Sequence, residues 1–364
     1  MAYGTVQADV IGTSVAGSNL GAGNASIMKN RIINGAMVIS QAAAGASVAG
    51  ANSTYAVDRF QGNTNVSSKF TMQQNAGSVT PPVGFTKYLG LTSSSAYTIG
   101  ASEYCGFLQG IEGLNIADLG WGTANAKTVT LSFQVYSSLT GTFGGSIFNG
   151  GANRSYPFSY SIPVANTWTT ISITIAGDTT GTWATDNSAG MYINFSIGAG
   201  STASGTAGSW SGTFYRSATG ATSVVGTNGA TFYITGVQLE VGSSATGFEY
   251  VNYQTSLANC QRYFIKYLGN NVNEKPPGSG YFYSTTAGNF VFCLPTAMRA
   301  SPSASFASIV TQPTGSTISA LNVDATSTLS PSFGVVTTGA TNGAVMIIQA
   351  NGTTSAYINL SSEL

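Results

Sequence analysis

The segment TVTLSFQVYSS (residues 128–138) alternates without a break. Val129, Leu131, Phe133 and Val135 share one side, and Thr130, Ser132 and Gln134 share the other. Side chains of an extended chain point to opposite faces in turn, so this pattern is a strand with one buried face. TWTTISITIAG (167–177), GMYINFSIGAG (190–200) and ATFYITGVQLEVG (230–242) are further short apolar runs with Gly, Ser and Thr between them. Strands of this length at this spacing predict an antiparallel β-sandwich. No heptads, fixed-period repeats or collagen-like triplets compete with that reading.

The remainder of the chain extends the pattern. NRIINGAMVISQ (30–41) reads as strand around an Asn34-Gly35 turn, and YAVDRFQG (55–62) as another short strand. CGFLQGIEGLNIADLGWG (105–122) joins a strand to a helical turn near residues 115–119. After residue 250, SLANCQRYFIKY (256–267) begins as a helical turn and runs into a strand. GNFVFCLP, SPSASFASI, PSFGVVTTG, GAVMIIQANG and SAYINLSSEL then read as strands of a second, smaller β-sandwich. In GAVMIIQ the four apolar residues from 345 to 348 do not alternate, which predicts a strand covered on both faces. The expected fold is therefore all-β. It comprises an extended N-terminal arm over residues 1–30, a jelly-roll sandwich over 31–250 and a smaller sandwich over 251–364. The arm is open to two readings, a disordered tail or an anchor that orders on a partner.

Composition narrows the function. Charged residues make up 7% of the 364, against a typical figure of roughly 25%. Lys and Arg total 12 and Asp and Glu total 12, so there is no basic stripe and nucleic acid is not an expected partner. No run reaches the length of a membrane span, so membrane insertion is not expected either. MAYGTVQADVIGTS lacks the basic start and apolar centre of a secretory signal, which predicts synthesis in a cytoplasm. Histidine is absent, which removes Ser-His-Asp and Cys-His catalysis and most zinc chemistry. Cys105, Cys260 and Cys293 are too few and too scattered for a disulfide framework and are expected as buried, reduced thiols.

Several segments together resemble a group of bacteriophage virion proteins, mostly tail fibres and minor tail proteins. They are NRIINGAMVISQ with YAVDRFQG, GIEGLNIADLGWGTANAKTVTLSFQVYSS, GVQLEVGSSATGFEYVNYQTSLANCQRYF, MRASPSASF and the terminal AYINLSSEL. The middle segments are similar, more loosely, to carbohydrate-binding-module jelly rolls. The resemblance spans about residues 27–364. The chain departs from the group at Phe60, where relatives carry Trp after the Asp-Arg pair, and in the small-residue run QAAAGASVAG (41–50). The resemblance implies a structural virion protein made in the host cytoplasm and carried on the virion. Its arm would dock on other virion proteins, and the molecule would be a homotrimer. Tail-fibre or appendage contact with the host surface is the first expectation, and decoration or cementing of the capsid shell is the alternative. The chain has no stalk of repeats, which lends weight to the alternative.

Candidate site residues follow from this. Sugar recognition uses flat aromatic faces beside amides, and Trp121, Trp183 and Trp210 with Tyr192 and Tyr215 are the candidates for a ligand face. Core or interface packing is the competing role for the three tryptophans. Trp168 is assigned to the core with Ile171 and Ile173. At the joint between the sandwiches, Val237, Leu239 and Val241 should face the core, and Phe248 and Tyr250 should lie back over the first sandwich. Tyr253, Leu257, Arg262 and Tyr263 should open the contact with the second sandwich. No cofactor is expected. Structural calcium, as the jelly-roll resemblance suggests, would draw on Glu240, Asn34 and Asp58, too few oxygens for that ion. Asp178, Asp186, Glu103 and Glu112 are the acids from which a glycosidase pair would come, but the chain is not expected to be an enzyme.

Overall fold

A computed structural model describes residues 28–312 and 315–364. The expected arm over residues 1–30 lies outside the described residues as far as residue 27. The chain divides into two compact units. The first holds residues 47–54 and 61–250 along with the stretch ending at Met37, and the second holds Val38–Ala46, Tyr55–Phe60 and Val251–Leu364. The contiguous boundary near residue 250 is therefore incomplete, because two short early segments belong to the second unit.

The strands of the first part of the chain are β1 (Val48–Ala49), β2 (Tyr55–Val57, in the second unit), β3 (Phe60–Thr64), β4 (Phe70–Gln74), β5 (Leu89–Ser93), β6 (Tyr104–Glu112) and β7 (Val129–Ser137). They continue with β8 (Gly141–Asn149), β9 (Ser155–Ile162), β10 (Thr169–Ile175), β11 (Ala189–Ala199), β12 (Ser204–Gly205), β13 (Ser217–Ala218) and β14 (Thr231–Val241). One sheet of the first unit runs β1-β4-β5-β14-β7-β10, and the other contains the run β3-β6-β11-β8-β9. The helical turn expected near residues 115–119 is present as two short 3-10 turns, Gly113–Asn115 and Ala117–Leu119.

The inward residues of β7, Leu131, Phe133 and Val135, are buried, as their period of two requires. Ring contacts join the two sheets. Phe133 of β7 lies 5.2 Å from Phe195 of β11, and Phe232 of β14 lies 6.1 Å from Phe107 of β6 and 5.9 Å from Phe143 of β8. Each such side chain contributes roughly 1.5–3 kcal/mol of burial. Residues 30–37 form a turn rather than strands. Arg31 N–H donates to the Leu239 carbonyl, and the Asn30 amide donates to the Val237 carbonyl and accepts from the Leu239 N–H. Gly35 sits so close to Val237 that an added β-carbon would lie 2.1 Å from its carbonyl oxygen, so only glycine fits there.

The second unit contains helix α1 (Tyr253–Gln261), capped by the Asn252 side chain, which accepts the Thr255 N–H. Its later strands are β15 (Phe264–Tyr267), β16 (Gly278–Phe282), β17 (Ala287–Phe292), β18 (Ser303–Ala307), β19 (Ile309–Gln312), β20 (Ala320–Ala325), β21 (Ser332–Val336), β22 (Val345–Ala350) and β23 (Tyr357–Ser361). They form one sheet in the order β15-β23-β18 and another in the order β19-β22-β16-β17-β21-β20. Phe282, Phe290, Phe292, Phe333, Ile348 and Leu360 are among the buried side chains of their common core. The doubly covered strand expected at GAVMIIQ is corrected. Met346 and Ile348 are fully buried, but Val345 is 66% exposed and Ile347 38%, so β22 alternates after all. Its outer face simply carries aliphatic residues where polar ones are usual.

The segments at residues 38–46 and 55–60 are tied into this unit by polar contacts. Asp58 accepts the Gln41 backbone N–H at 2.7 Å and its side-chain amide at 2.6 Å, and the same amide donates to the Phe264 carbonyl at 2.9 Å. Arg59 pairs with Glu363 and stacks on Tyr263, with all three shielded from solvent. Burial raises the Asp58 and Glu363 carboxyls above their ordinary values, although their hydrogen-bond partners and Arg59 pull the other way.

Candidate functional site

The strongest site geometry lies on the outer face of the sheet β1-β4-β5-β14-β7-β10. The same alternation that buries Phe133 turns Ser132, Gln134 and Tyr136 outward on β7. Register then sets Thr170 beside Gln134 and Ser172 beside Ser132 on β10, and Tyr233 of β14 beside Tyr136. The Tyr136 and Tyr233 rings stack at 5.3 Å and 8°. Tyr88 stacks on Tyr233 from the far side at 5.1 Å, and Trp168 leans on both Tyr136 and Tyr88 at 5.5 and 5.6 Å.

Hydrogen bonds hold this group in place. Trp168 Nε1 donates to the Thr80 carbonyl at 2.9 Å, and the Tyr88 hydroxyl donates to the Ala76 carbonyl while accepting the Val79 N–H. Tyr88 and Tyr233 are buried, and burial pushes both phenols upward in pKa. Tyr136 and Trp168 remain half-exposed. Thr170 donates to Gln134 Oε1 at 3.1 Å, at the edge of the aromatic pair. The exposed strip is thus two aromatic rings beside amide and hydroxyl groups, with no ionised side chain among its residues.

The assignment of Trp168 to the core is corrected. As an even-numbered residue it lies on the face opposite Ile171, Ile173 and Ile175. The tryptophans proposed as a ligand face are packed together. Trp121 and Trp183 are 6% and 7% exposed, and Trp121, Trp183 and Trp210 meet edge-to-face at 4.8, 5.2 and 5.6 Å. Their indole N–H groups donate to the carbonyls of Lys127, Thr180 and Ala176. Buried rings in this arrangement present no flat face to a sugar. Trp210 is half-buried against Tyr156. Tyr192 is on the outer face of the other sheet, stacked on Phe148 at 5.2 Å. Tyr215 packs across Gly205, whose added β-carbon would lie 2.3 Å from its ring. The five candidates therefore fall into three separate settings.

Around Tyr192 and Tyr215 the outer face of the second sheet is roofed by the chain's own loop. Asn63 donates to Asn194, Asn194 donates to the Arg216 carbonyl, and Arg216 donates to Asn63, each at 2.7 Å. The Arg216 guanidinium lies 3.7 Å from the Tyr104 ring centre and 4.5 Å from that of Phe214.

The joint residues are distributed between the units. Val237 and Leu239 are buried in the first, and Phe248 and Tyr250 pack on Phe85 of the same unit at 5.0 and 5.8 Å. Gln238 and Glu240 are buried beneath the following loop, Glu240 accepting from Thr246 and Gln238. In the second unit Tyr253 is exposed, Leu257 and Arg262 are half-buried, and Tyr263 is fully buried under Arg59. The possible calcium donors do not form a set. Glu240 is engaged by Thr246 and Gln238 in the first unit and Asp58 by Gln41 in the second, and the Asn34 backbone carbonyl accepts the Met37 N–H in its own turn. Among the described residues no group of three or more acidic or cysteine side chains is arranged for a metal.

The four acids considered for glycosidase work have other partners. Asp178 receives two 2.7 Å hydrogen bonds from Arg154. Burial pushes its pKa up, but Arg154 and Thr180 outweigh that and hold it below the ordinary value. Glu103 is lowered by the Gly100 N–H and the Tyr97 hydroxyl, and Asp186 by Ser188. Glu112 is fully buried on β6. A general acid needs a raised pKa, and three of these four have the reverse. Of the thiols, Cys105 and Cys260 are buried with raised pKa values, burial being the main cause, but Cys293 is exposed, against expectation.

No protein-family model matches this sequence, and no curated protein matches it. Solved structures do. A putative sugar binding protein from Bacteroides thetaiotaomicron is 12% identical, covering 58% of this chain and 100% of its own, with a TM-score of 0.32. A family 11 carbohydrate-binding module from Clostridium thermocellum, in complex with a mixed-linked tetrasaccharide, is 11% identical over 55% of this chain and 98% of its own, at 0.28. The TmCBM61 module with β-1,4-galactotriose is 9% identical over 50% of this chain and 88% of its own, at 0.27. These scores are too low to bear on function.

Proposed function

We propose that this is a structural protein of a phage virion whose first unit binds an uncharged glycan on the Tyr136–Trp168 strip. The observation that carries the glycan reading is the half-exposed aromatic pair beside Gln134, Ser132, Thr170 and Ser172, with no charge among them. Aromatic faces take the C–H side of a sugar ring, and amides and hydroxyls take its hydroxyl groups. Binding without cleavage fits the lowered carboxylates. The virion reading is supported by the sequence segments that resemble phage tail proteins. It implies synthesis in the host cytoplasm, a homotrimer, and docking on other virion proteins.

Titration of the full chain with neutral oligosaccharides tests the glycan site. Binding that falls at least about tenfold in Tyr136→Ala and Trp168→Ala, with melting temperature largely kept, supports it. Binding unchanged in the double variant sinks it. Immunogold labelling of intact virions tests the location. Label confined to the tail supports contact with the host surface, whereas even label over the head retires that role in favour of shell decoration.

A further inference from the structure

The second unit carries a cleft of its own, bordered by two left-handed kinks. Strand β15 ends at Tyr267, and Leu268 and Gly269 follow with φ of 70° and 104°. On the other wall Ala44 and Gly45 have φ of 49° and 81°. Residues with a β-carbon avoid this region, and such strain concentrates at ligand clamps. Ala44, Leu268 and Gly269 all line a single cleft of about 350 Å³, within the range of roughly 300–1,000 Å³ for small-molecule sites.

The chemistry of the walls is specific. Lys266 lines the cleft half-buried, takes part in no ion pair among the described residues, and has only a long 3.4 Å hydrogen bond to the Ala42 carbonyl. Gln41 spends its amide N–H groups on Asp58 and Phe264, which leaves Oε1 as an acceptor. Ser40 and Asn270 add a hydroxyl and an amide, and Leu268 and the 59%-exposed Tyr253 add apolar surface. One cation matches one anionic group. A phosphate ester or a dicarboxylate would leave negative charge unmatched.

We propose that this cleft binds a carboxylated monosaccharide, a hexuronic or sialic acid, with its carboxylate on the Lys266 ammonium. Its hydroxyls meet Gln41, Ser40 and Asn270, and its C–H face lies against Tyr253. This site is independent of the neutral-glycan strip of the first unit.

Calorimetric titration of the full chain with glucuronic acid, N-acetylneuraminic acid, glucose and inorganic phosphate tests it. The expected result is binding of at least one of the two acids and no comparable binding of glucose or phosphate. Lys266→Gln should weaken the acid by about tenfold or more, the loss of one charge-assisted contact. Lys266→Arg should keep most of the affinity. Tyr253→Ala, at a 59%-exposed position, should weaken binding with the melting temperature largely kept, as an independent check. The double change at Tyr136 and Trp168 should leave acid binding unchanged, which separates this site from the other. Three results would overturn the proposal: no binding of either acid, equal binding of glucose, or phosphate binding with the same dependence on Lys266. Wild-type affinity in Lys266→Gln would do so as well.

Discussion

The guanidinium of Arg59 lies 3.4 Å from the centre of the Tyr263 ring, and both side chains are buried in the second unit. Glu363 completes the arrangement from the other end of the chain. Burial works against the Arg59 charge, and Glu363 and Tyr263 more than offset it, so Arg59 is held firmly protonated.

That arrangement makes one partner costly to remove alone. Glu363→Gln leaves a buried guanidinium without its carboxylate and should cost about 3–5 kcal/mol. Arg59→Met should cost a similar amount, because it strands the carboxylate. The Arg59→Met/Glu363→Leu double variant should lose less than the sum of the two. Urea denaturation of all four proteins measures the coupling, and additive losses would show that the pair does not act as a unit.

Asp178 gives the first unit an acid-sensitive contact. Its folded pKa lies below its ordinary value of 3.8, so its contribution is fully present above that value and is lost as pH falls through it. Asp178→Asn should lower the melting temperature at pH 7 and flatten its decline between about pH 5 and pH 2. A wild-type pH profile in the variant would refute the assignment.

The Trp121–Trp183–Trp210 cluster is a packing unit. Trp183→Ala should destabilise the protein by about 3–5 kcal/mol in denaturant titration, while glycan affinity at low temperature stays at the wild-type level. Loss of affinity with stability intact would return the ligand role to these tryptophans.

Thiol chemistry should distinguish the three cysteines. Cys293 is exposed, whereas Cys105 and Cys260 are buried and hard to ionise. A thiol reagent should therefore label the folded protein at Cys293 alone, and all three sites after denaturation. Mass spectrometry of the labelled peptides reads this directly.

The sandwich architecture was legible because β7 states its period openly, whereas in β14 a bulge between Thr235 and Gln238 moves the inward positions from Phe232 and Ile234 to Val237 and Leu239. Leu131, Phe133, Val237 and Leu239 all face the core that alternation assigns them. The outward strip was legible too, since Tyr136 continues the outward series of Ser132 and Gln134. The tryptophans of the Gly-rich loops carry no such pattern, and Trp121 and Trp183 pack on one another there. Trp168 stands one position out of parity with Ile171 and Ile173, which puts it on the outer face. At β22 the outward residues are aliphatic, so hydropathy hides the alternation that geometry reveals. The pairing of Arg59 with Glu363 had no local signature, because the partners are 304 positions apart.

That separation shapes how the molecule is made. The ribosome emits residues 38–46 and 55–60 early, and their partners in the second unit follow much later, from Phe264, 223 positions after Gln41, to Glu363, 304 positions after Arg59. Asp58 can meet Gln41 within that early stretch, but Arg59 must wait for Glu363. A C-terminal fragment starting at residue 251 would be born without Arg59 for Glu363 to meet, so genetic dissection of this protein at residue 250 would strip two short segments from the second unit. Supplying residues 38–60 in trans, or by circular permutation, would restore what such a cut removes.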